Sequence, residues 1–375
     1  MTGHALVALL PAFLFLAGLL VMDSFKLVRV TTVVSALAYG AVAAATMAPV
    51  HEWLLAHTGI DVHYFTRYVS PVTEELAKTL FVVFVLWRRH VGFLVDAAVL
   101  GFAVGTGFAV VENVLYLRDM GEATLTLWLV RGLGTAILHA ATTAIVAMVA
   151  KTVQDRRHWS PALAVLPGLL AAIAIHSLYN HLLVSPILAT AVLLIVLPLL
   201  IATVFDRSEK ATREWVGSGL DLDLELLQLV LSEHFQSTRL GAYLRQLRTH
   251  FEGPVVADMF CLLRLELELG VQAKARIMAR NAGLEVPVDN DLFQALDERQ
   301  FLRESIGPTG LLALKPLQVT SYRDDWHRHL LSQAKTRARI EEGRERLQVQ
   351  FKEQQARLRE QLRERLRSRK KHDGA

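Results

Sequence analysis

Long apolar runs separated by short polar stretches dominate the first 205 residues of the chain. Seven such runs of about 17 to 27 residues recur, and as helices each is long enough to cross a hydrocarbon core about 30 Å thick. This pattern predicts an all-α, polytopic membrane bundle of about seven transmembrane helices. The runs are approximately Ala5–Met22, Val30–Ala48, Pro71–Trp87, Val91–Leu117, Thr124–Ala150, Pro161–Val184 and Pro186–Phe205.

The pattern changes after residue 205. Residues 206–375 contain 29 of the 40 Lys and Arg residues and 26 of the 36 Asp and Glu residues. Apolar residues at a spacing of three and four over Asp221–Phe251 and Val255–Asn281 predict packed soluble helices. We therefore predict a membrane domain over 1–205, a helical domain over 206–320, and a long charged helix over 321–375.

Basic residues in the short loops indicate the orientation, because Lys and Arg accumulate on the cytoplasmic side of membranes. Alternate loops form a basic side, and the opposite loops contain only Arg67 and Arg118. The sequence thus predicts a multi-pass cell-membrane protein with its N-terminus outside and its C-terminus in the cytoplasm. The basic side holds Lys26, Arg29, Arg88, Arg89, Lys151, Arg156, Arg157, Arg207, Lys210 and Arg213.

Composition supports the membrane assignment and limits the chemistry. Hydrophobic residues make up 53% of the chain, and the mean hydropathy is +0.34. The single cysteine, Cys261, excludes an intramolecular disulfide and any CxxC metal site. Metal binding would therefore require His, Asp or Glu ligands. The basic end of the last helix is expected to be a solvated face or to contact anionic membrane lipid, and no nucleic acid is expected.

Ionisable side chains inside the apolar runs need an explanation, because each costs about 2.5 to 3.5 kcal/mol to insert. Glu74 and Glu75 precede Lys78 by four and three residues, so the lysine can neutralise either carboxylate. His176 and Asn180 are one helical turn apart, which suits metal binding or oxyanion stabilisation. Glu112 and His139 lie in two further runs.

The predicted topology places these groups in the outer half of the membrane. Glu74 and Glu75 open a helix that starts outside, whereas Glu112 and His176 lie near the outer ends of helices that rise from the cytoplasm. Their common depth predicts a water-accessible cavity that opens outward.

The same residues carry a family resemblance. EExxK at Glu74–Lys78, FxxxEN at Phe108–Asn113, a mid-span His139 and HxxxN at His176–Asn180, in this order, resemble the PrsW-type intramembrane proteases. This family belongs to the wider group that includes the CAAX prenyl endopeptidases. Those relatives usually show EExxxR and FxxxH, so EExxK and FxxxE favour the PrsW branch. The resemblance covers residues 65–205.

The resemblance implies hydrolysis of a peptide bond in a membrane-tethered protein, such as an anti-sigma factor, by glutamate-activated water. One of Glu74 and Glu75 would be the general base, with a slight preference for Glu74, and Lys78 would hold the other. Three residues would bind either a divalent metal, preferably zinc, or the water of a metal-independent glutamic protease, and Asn180 would stabilise the oxyanion. The implied ligands are Glu112, His139 and His176.

Other interpretations stay open at this point. Glu74 with Lys78, and Glu112 with Arg118 or Arg131, could be structural ion pairs, and the histidines could bridge helices. A proton-coupled transporter also needs intramembrane Glu, His and Asn, although no inverted repeat is visible. A third interpretation is a non-catalytic scaffold whose cytoplasmic helices bind a partner protein.

Overall fold

The computed structural model describes residues 2–23, 28, 30–88, 91–119, 124–157, 159–284, 290–314 and 316. Over these residues the chain is almost entirely helical and contains no strand, as the sequence predicts. The α-helices are α1 Thr2–Met22, α2 Val30–Thr58, α3 Val62–Tyr64, α4 Ser70–Trp87, α5 Leu94–Asp119, α6 Leu125–Leu129, α7 Ala136–Arg157, α8 Pro161–Ala164, α9 Leu166–Asn180, α10 Pro186–Leu231, α11 Arg239–Leu247, α12 Gly253–Asn281 and α13 Asn290–Leu314.

Six helical segments of the described chain are long and apolar enough to cross a membrane. Six of the seven predicted runs correspond to them. The remaining run is α4, which has 18 residues and carries Glu74, Glu75 and Lys78. A multi-pass membrane protein is therefore confirmed, whereas the count of seven stays a prediction. The segments are His4–Met22, Val30–Thr58, Leu94–Asp119, Leu125–Arg157, Pro161–Asn180 and Pro186–Lys210.

Local sequence explains where several helices begin. The Asp61 side chain accepts hydrogen bonds from the backbone N–H groups of His63 and Tyr64, at 2.9 and 3.1 Å, and so caps α3. The Thr124 side chain caps α6 in the same way. Pro71 stands in the first turn of α4, where its missing N–H removes no helical hydrogen bond.

Two short π-helical turns interrupt the α-helical hydrogen bonding of the membrane domain. Phe65–Val69 joins α3 to α4, and Val130–Thr135 joins α6 to α7. Such turns insert one extra residue into a helix and occur frequently at functional sites. Both turns lie in segments that lead directly into helices with predicted site residues.

α5 is the most deeply buried of the apolar helices, and it packs against α1, α2 and α7. The core around it contains aliphatic and aromatic side chains from most of the membrane helices. Its packing depends on glycine. An added Cβ at Gly105 would overlap the His139 carbonyl oxygen, and one at Gly101 would lie 2.6 Å from the Thr143 carbonyl oxygen. α5 and α7 are therefore in backbone contact.

The chain divides into two compact units, and the second is formed by residues 226–273 with the described residues after 289. It has its own apolar core, in which Met259, Leu269 and Leu292 are almost fully buried. Arg299 donates a hydrogen bond to Glu266 at 2.8 Å within this unit. This unit is helical, and the predicted domain over 206–320 stays a prediction.

Two sequence-based boundaries differ from the structure. α10 continues without interruption past Phe205, where the composition changes, and ends at Leu231. The predicted helix over Asp221–Phe251 is broken, because the chain turns through the short 3₁₀ segment Phe235–Ser237 before α11 begins. The predicted long charged helix over 321–375 lies outside the described residues.

Candidate active site

α4 turns a polar face into the bundle and an apolar face outward. The side chains of Glu75 and Lys78 are fully buried, whereas Leu76 and Leu80 on the opposite face are exposed. Since charged groups in a membrane helix are tolerated when they face the protein interior and are paired there, this arrangement accounts for the polar residues of α4.

Glu75 accepts three hydrogen bonds through one carboxylate oxygen, whereas its buried Oε2 atom has no hydrogen-bond partner among the described residues. Its Oε1 atom accepts from Lys78 Nζ at 2.7 Å, from Thr142 Oγ1 at 3.1 Å and from His176 Nδ1 at 2.9 Å. These donors come from α4, α7 and α9, so the carboxylate joins three helices. Of the two partners open to Lys78 from the sequence, the structure selects Glu75.

Glu74 has a different environment. Ser70 Oγ donates a hydrogen bond to its Oε1 atom. The Oε2 atom is buried and has no hydrogen-bond partner within the described part of the chain. It lies 3.9 Å from His139 Nδ1 and 3.9 Å from His176 Nε2. One carboxylate oxygen therefore faces two imidazoles without a donor of its own.

The contacts assign the ring protons of both histidines in their neutral form. A carboxylate only accepts hydrogen bonds, so His176 Nδ1 carries the proton towards Glu75 and leaves a lone pair on Nε2. An ammonium only donates, so Lys78 Nζ, 3.1 Å from His139 Nδ1, leaves the proton on His139 Nε2. Both lone pairs are thus on the nitrogens that lie near Glu74.

Glu112 lies on the other side of the His139 ring, next to Nε2. Its Oε2 atom lies 2.8 Å from His139 Nε2, within ion-pair distance, although the two atoms are not aligned as a hydrogen bond. Its Oε1 atom lies 3.2 Å from Arg131 Nη2. Of the two arginines considered from the sequence, Arg131 is the partner. The Glu112 side chain is 23% exposed and that of Glu74 is 8% exposed, so the cluster is nearly closed.

The side chains present fit a divalent metal. Glu74, His139 and His176 each offer one ligand atom, and these atoms all lie within 4.8 Å of one another. One carboxylate and two imidazoles form a donor set found in catalytic zinc sites. The unpartnered Glu74 Oε2 atom belongs to this set. The family resemblance implies Glu112 as the third ligand, and that assignment stays a prediction. In the structure, Glu74 is the carboxylate grouped with the two histidines.

Asn180 lies apart from this cluster. Its side chain is half-buried, and Nδ2 donates to the Thr66 carbonyl oxygen at 2.9 Å. Ser177 and His181 make similar contacts, to the Arg67 carbonyl at 2.6 Å and the Tyr68 hydroxyl at 3.0 Å. The end of α9 is thereby joined to the segment before α4. The other six predicted site residues meet in the bundle.

Three residues that lie at the site were not predicted from the sequence. Ser70 and Thr142 each donate to one of the paired glutamates, and hydroxyls of this kind give no signal in a single sequence. His51 lies 3.9 Å from Glu74 Oε1 and 2.7 Å from the Thr73 hydroxyl. The predicted second helix ended at Ala48, before this histidine, whereas α2 continues through Pro49 to Thr58.

Comparison with protein families finds a match over residues 27–204, to the model of the PrsW family intramembrane metalloprotease. Residues 27–204 are thus similar to PrsW-family proteases. No curated protein and no solved structure matches the chain. The matched range contains all seven of the site residues predicted from the sequence.

The PrsW-family domain identifies this multi-pass membrane protein as a protease. It confirms the resemblance seen in the order of the four motifs and favours hydrolysis over a transporter or a scaffold. The matched range ends within α10, and the second compact unit lies outside it.

Proposed function

We propose that the protein cleaves membrane-tethered proteins with a water molecule activated by Glu74. The observation that carries this proposal is the contrast between the two adjacent glutamates. Glu75 is paired with Lys78 and accepts three hydrogen bonds through Oε1. Glu74 has no ammonium bonded to it among the described residues, and its unpartnered Oε2 atom lies 3.9 Å from a ring nitrogen of both His139 and His176. A carboxylate oxygen free to accept a proton is what a general base requires.

Glu75 has the complementary role in this scheme. Its charge is neutralised by Lys78, and its contacts orient His176 with the Nε2 lone pair towards Glu74. A water bounded by Glu74 Oε2, His139 and His176 would lose its proton to Glu74 as it attacks the peptide carbonyl carbon. Glu74 would then pass that proton to the departing amine.

A resident divalent metal, with zinc preferred, would be held by Glu74, His139 and His176. When bound there, it would supply Lewis acidity and lower the pKa of a coordinated water. The hydrogen bond that His176 Nδ1 donates to Glu75 orients that ring in either case, whereas the His139 Nδ1 lone pair can accept from Lys78 only when it does not hold a metal.

The substrate class proposed is a single-span membrane protein, such as a membrane-tethered regulator of the anti-sigma type. The cleaved bond would lie near the outer face of the membrane, with the N-terminus of the protease outside and its C-terminus cytoplasmic. The loop charges support this orientation. The substrate would have to unwind locally, since a helix hides its peptide groups in internal hydrogen bonds.

Isosteric substitutions test the assignment of the base. The full chain is purified in lipid, and cleavage of a single-span reporter is followed for wild type, Glu74→Gln and Glu75→Gln. Glu74→Gln should lose at least about 10³-fold in kcat, because an amide cannot accept the proton at neutral pH. Glu75→Gln should lose about 10- to 100-fold, as expected for a group that orients others.

Glu52→Gln is the matched control, because Glu52 is an exposed glutamate on α2. It should cleave at the wild-type rate. Wild-type activity in Glu74→Gln would overturn the proposed base, and a larger loss in Glu75→Gln than in Glu74→Gln would exchange the two roles.

The metal content of the purified protein tests whether the reaction uses a metal. If the three residues hold zinc, purified wild type should contain about one ion per chain, and His176→Ala should contain much less. A strong chelator should then inhibit cleavage, and added zinc should restore it. Full activity without stoichiometric metal would assign the reaction to Glu74 alone.

A further inference from the structure

Arg131 is a buried cation that the proposed reaction does not use. It lies in the π-helical turn Val130–Thr135, and it contacts one turn of α5. Its Nε atom donates to Asn113 Oδ1 at 3.0 Å, and its Nη2 atom lies 3.2 Å from Glu112 Oε1. Its guanidinium carbon lies 3.5 Å from the centre of the Tyr116 ring.

The contact with Asn113 is itself anchored. Asn113 is almost fully buried, and its Nδ2 atom donates to the Ala8 carbonyl oxygen on α1 at 2.8 Å. Both ends of this amide are therefore used, one by Arg131 and one by backbone. Asn113 therefore links the Arg131 guanidinium to the backbone of α1, and the same guanidinium contacts Glu112.

Glu112 connects Arg131 to His139, which belongs to the proposed reaction site. Its second oxygen lies 2.8 Å from His139 Nε2, while Lys78 donates towards His139 Nδ1 from the opposite side. A negative charge at Nε2 favours the tautomer with the proton on that nitrogen. The lone pair on Nδ1 then lies on the side of Glu74, 3.9 Å from its Oε2 atom.

We propose that Arg131 is a positioning residue of the protease. It fixes the Glu112 carboxylate, which in turn holds His139 in the tautomer whose Nδ1 lone pair faces Glu74. The inference rests on the proposed function, since His139 is one of the groups that bound the reacting water. Arginine suits this position because a planar guanidinium contacts two side chains and an aromatic ring together, which a lysine ammonium does not.

The test compares Arg131→Met, Arg131→Lys, Glu112→Gln and the double variant Arg131→Met/Glu112→Gln in the full chain. Arg131→Met should lower kcat about 10- to 100-fold, as is usual for a group that orients a catalytic ligand, with KM within about twofold of wild type. Arg131→Lys should have an intermediate kcat. The double variant should be no slower than Glu112→Gln, because both residues act through one contact.

A spectroscopic readout is independent of cleavage. The ¹⁵N chemical shifts of the His139 ring should show protonation at Nε2 in wild type. In Arg131→Met the fraction protonated at Nε2 should fall, because Lys78 alone then favours this tautomer. Arg118→Met is the matched control, because Arg118 is an exposed arginine near the same end of α5. It should change neither the kcat nor the spectrum.

The outcomes separate the two proposals. Wild-type kcat together with an unchanged His139 tautomer in Arg131→Met would overturn the positioning role and leave the Glu74 mechanism intact. A double variant whose loss is the product of the two single losses would also overturn it. An inactive wild type with the expected tautomer change would instead contradict the proposed function. If Arg131→Met does not fold, Arg131→Lys decides, because a wild-type kcat and tautomer there would overturn the inference.

Discussion

Glu74 and Glu75 are neighbours in the chain, yet their carboxylates have opposite environments. Successive residues on a helix point about 100° apart, so Glu75 faces α7 and α9 while Glu74 lies beside Ser70 and His51. The sequence predicts that one glutamate is held by Lys78 and the other is free. It does not predict which, because the spacings of three and four residues both allow the ion pair.

Asn180 provides a prediction at the residue scale. Asn180→Ala should reduce kcat by less than about tenfold, because its amide is bonded to the Thr66 carbonyl and lies outside the buried cluster. Loss of an oxyanion donor would cost about 10²- to 10³-fold in kcat. Steady-state cleavage of the single-span reporter distinguishes these values.

Ser177→Ala is the appropriate control for Asn180→Ala. It removes a neighbouring hydrogen bond, from the Ser177 hydroxyl to the Arg67 carbonyl, without touching any amide. Similar small effects in both variants would support a structural role for the end of α9. A loss of two orders of magnitude in Asn180→Ala alone would restore the oxyanion role predicted from the sequence.

At the scale of helices, hydrophobic patterning predicts most of the membrane domain. The apolar runs locate the starts of the spans to within a few residues, because a helix that crosses lipid must be apolar over a long stretch. Their ends are located less well, since α2 continues from the predicted end at Ala48 to Thr58. The π-helical turn at Val130–Thr135 is invisible to this reasoning, since one extra residue leaves the run apolar. The contact between Arg131 and Glu112 was therefore only one of two options in the sequence.

Packing between α5 and α7 leads to a prediction about Gly105. Gly105→Ala should destabilise the membrane domain by about 1 to 3 kcal/mol, because the new methyl group would overlap the His139 carbonyl oxygen and separate two backbones. Cleavage activity should fall with it, since His139 moves. Thermal unfolding in detergent measures the change in stability.

Gly18→Ala is a matched glycine control, because nothing lies within 4 Å of a Cβ added there on α1. It should be neutral, or stabilising by up to about 1 kcal/mol through helix propensity. Equal midpoints of unfolding for the two alanine variants would show that the α5 and α7 backbones are not in close contact.

At the scale of the whole molecule, the orientation in the membrane is a prediction that labelling can test. In a Cys261→Ser background, His63→Cys should react with an impermeant thiol reagent in intact cells, because the loops without the basic clusters are expected outside. Arg156→Cys should react only after the membrane is permeabilised. Both positions have exposed side chains.

The reverse labelling pattern would invert the topology and with it the proposed side of cleavage. Labelling of both positions in intact cells would indicate that the membrane was not intact, which a cytoplasmic marker protein checks in the same sample. The arrangement of the buried site is independent of this outcome, because it depends on contacts among the helices.

The glycine contacts of α5 restrict the route by which a substrate can arrive. Gly107 and Gly40 bring α5 against the backbone of α2, and Gly101 and Gly105 bring it against α7, so neither pair leaves a gap for a polypeptide. The segment before α4, in contrast, is joined to the end of α9 by side-chain hydrogen bonds from Ser177, Asn180 and His181. Those bonds can exchange with water far more readily than packed backbones can separate. A substrate strand would therefore enter between the segment before α4 and the end of α9, without breaking the buried hydrogen bond from His176 to Glu75, and would meet Glu74 on the first turns of α4.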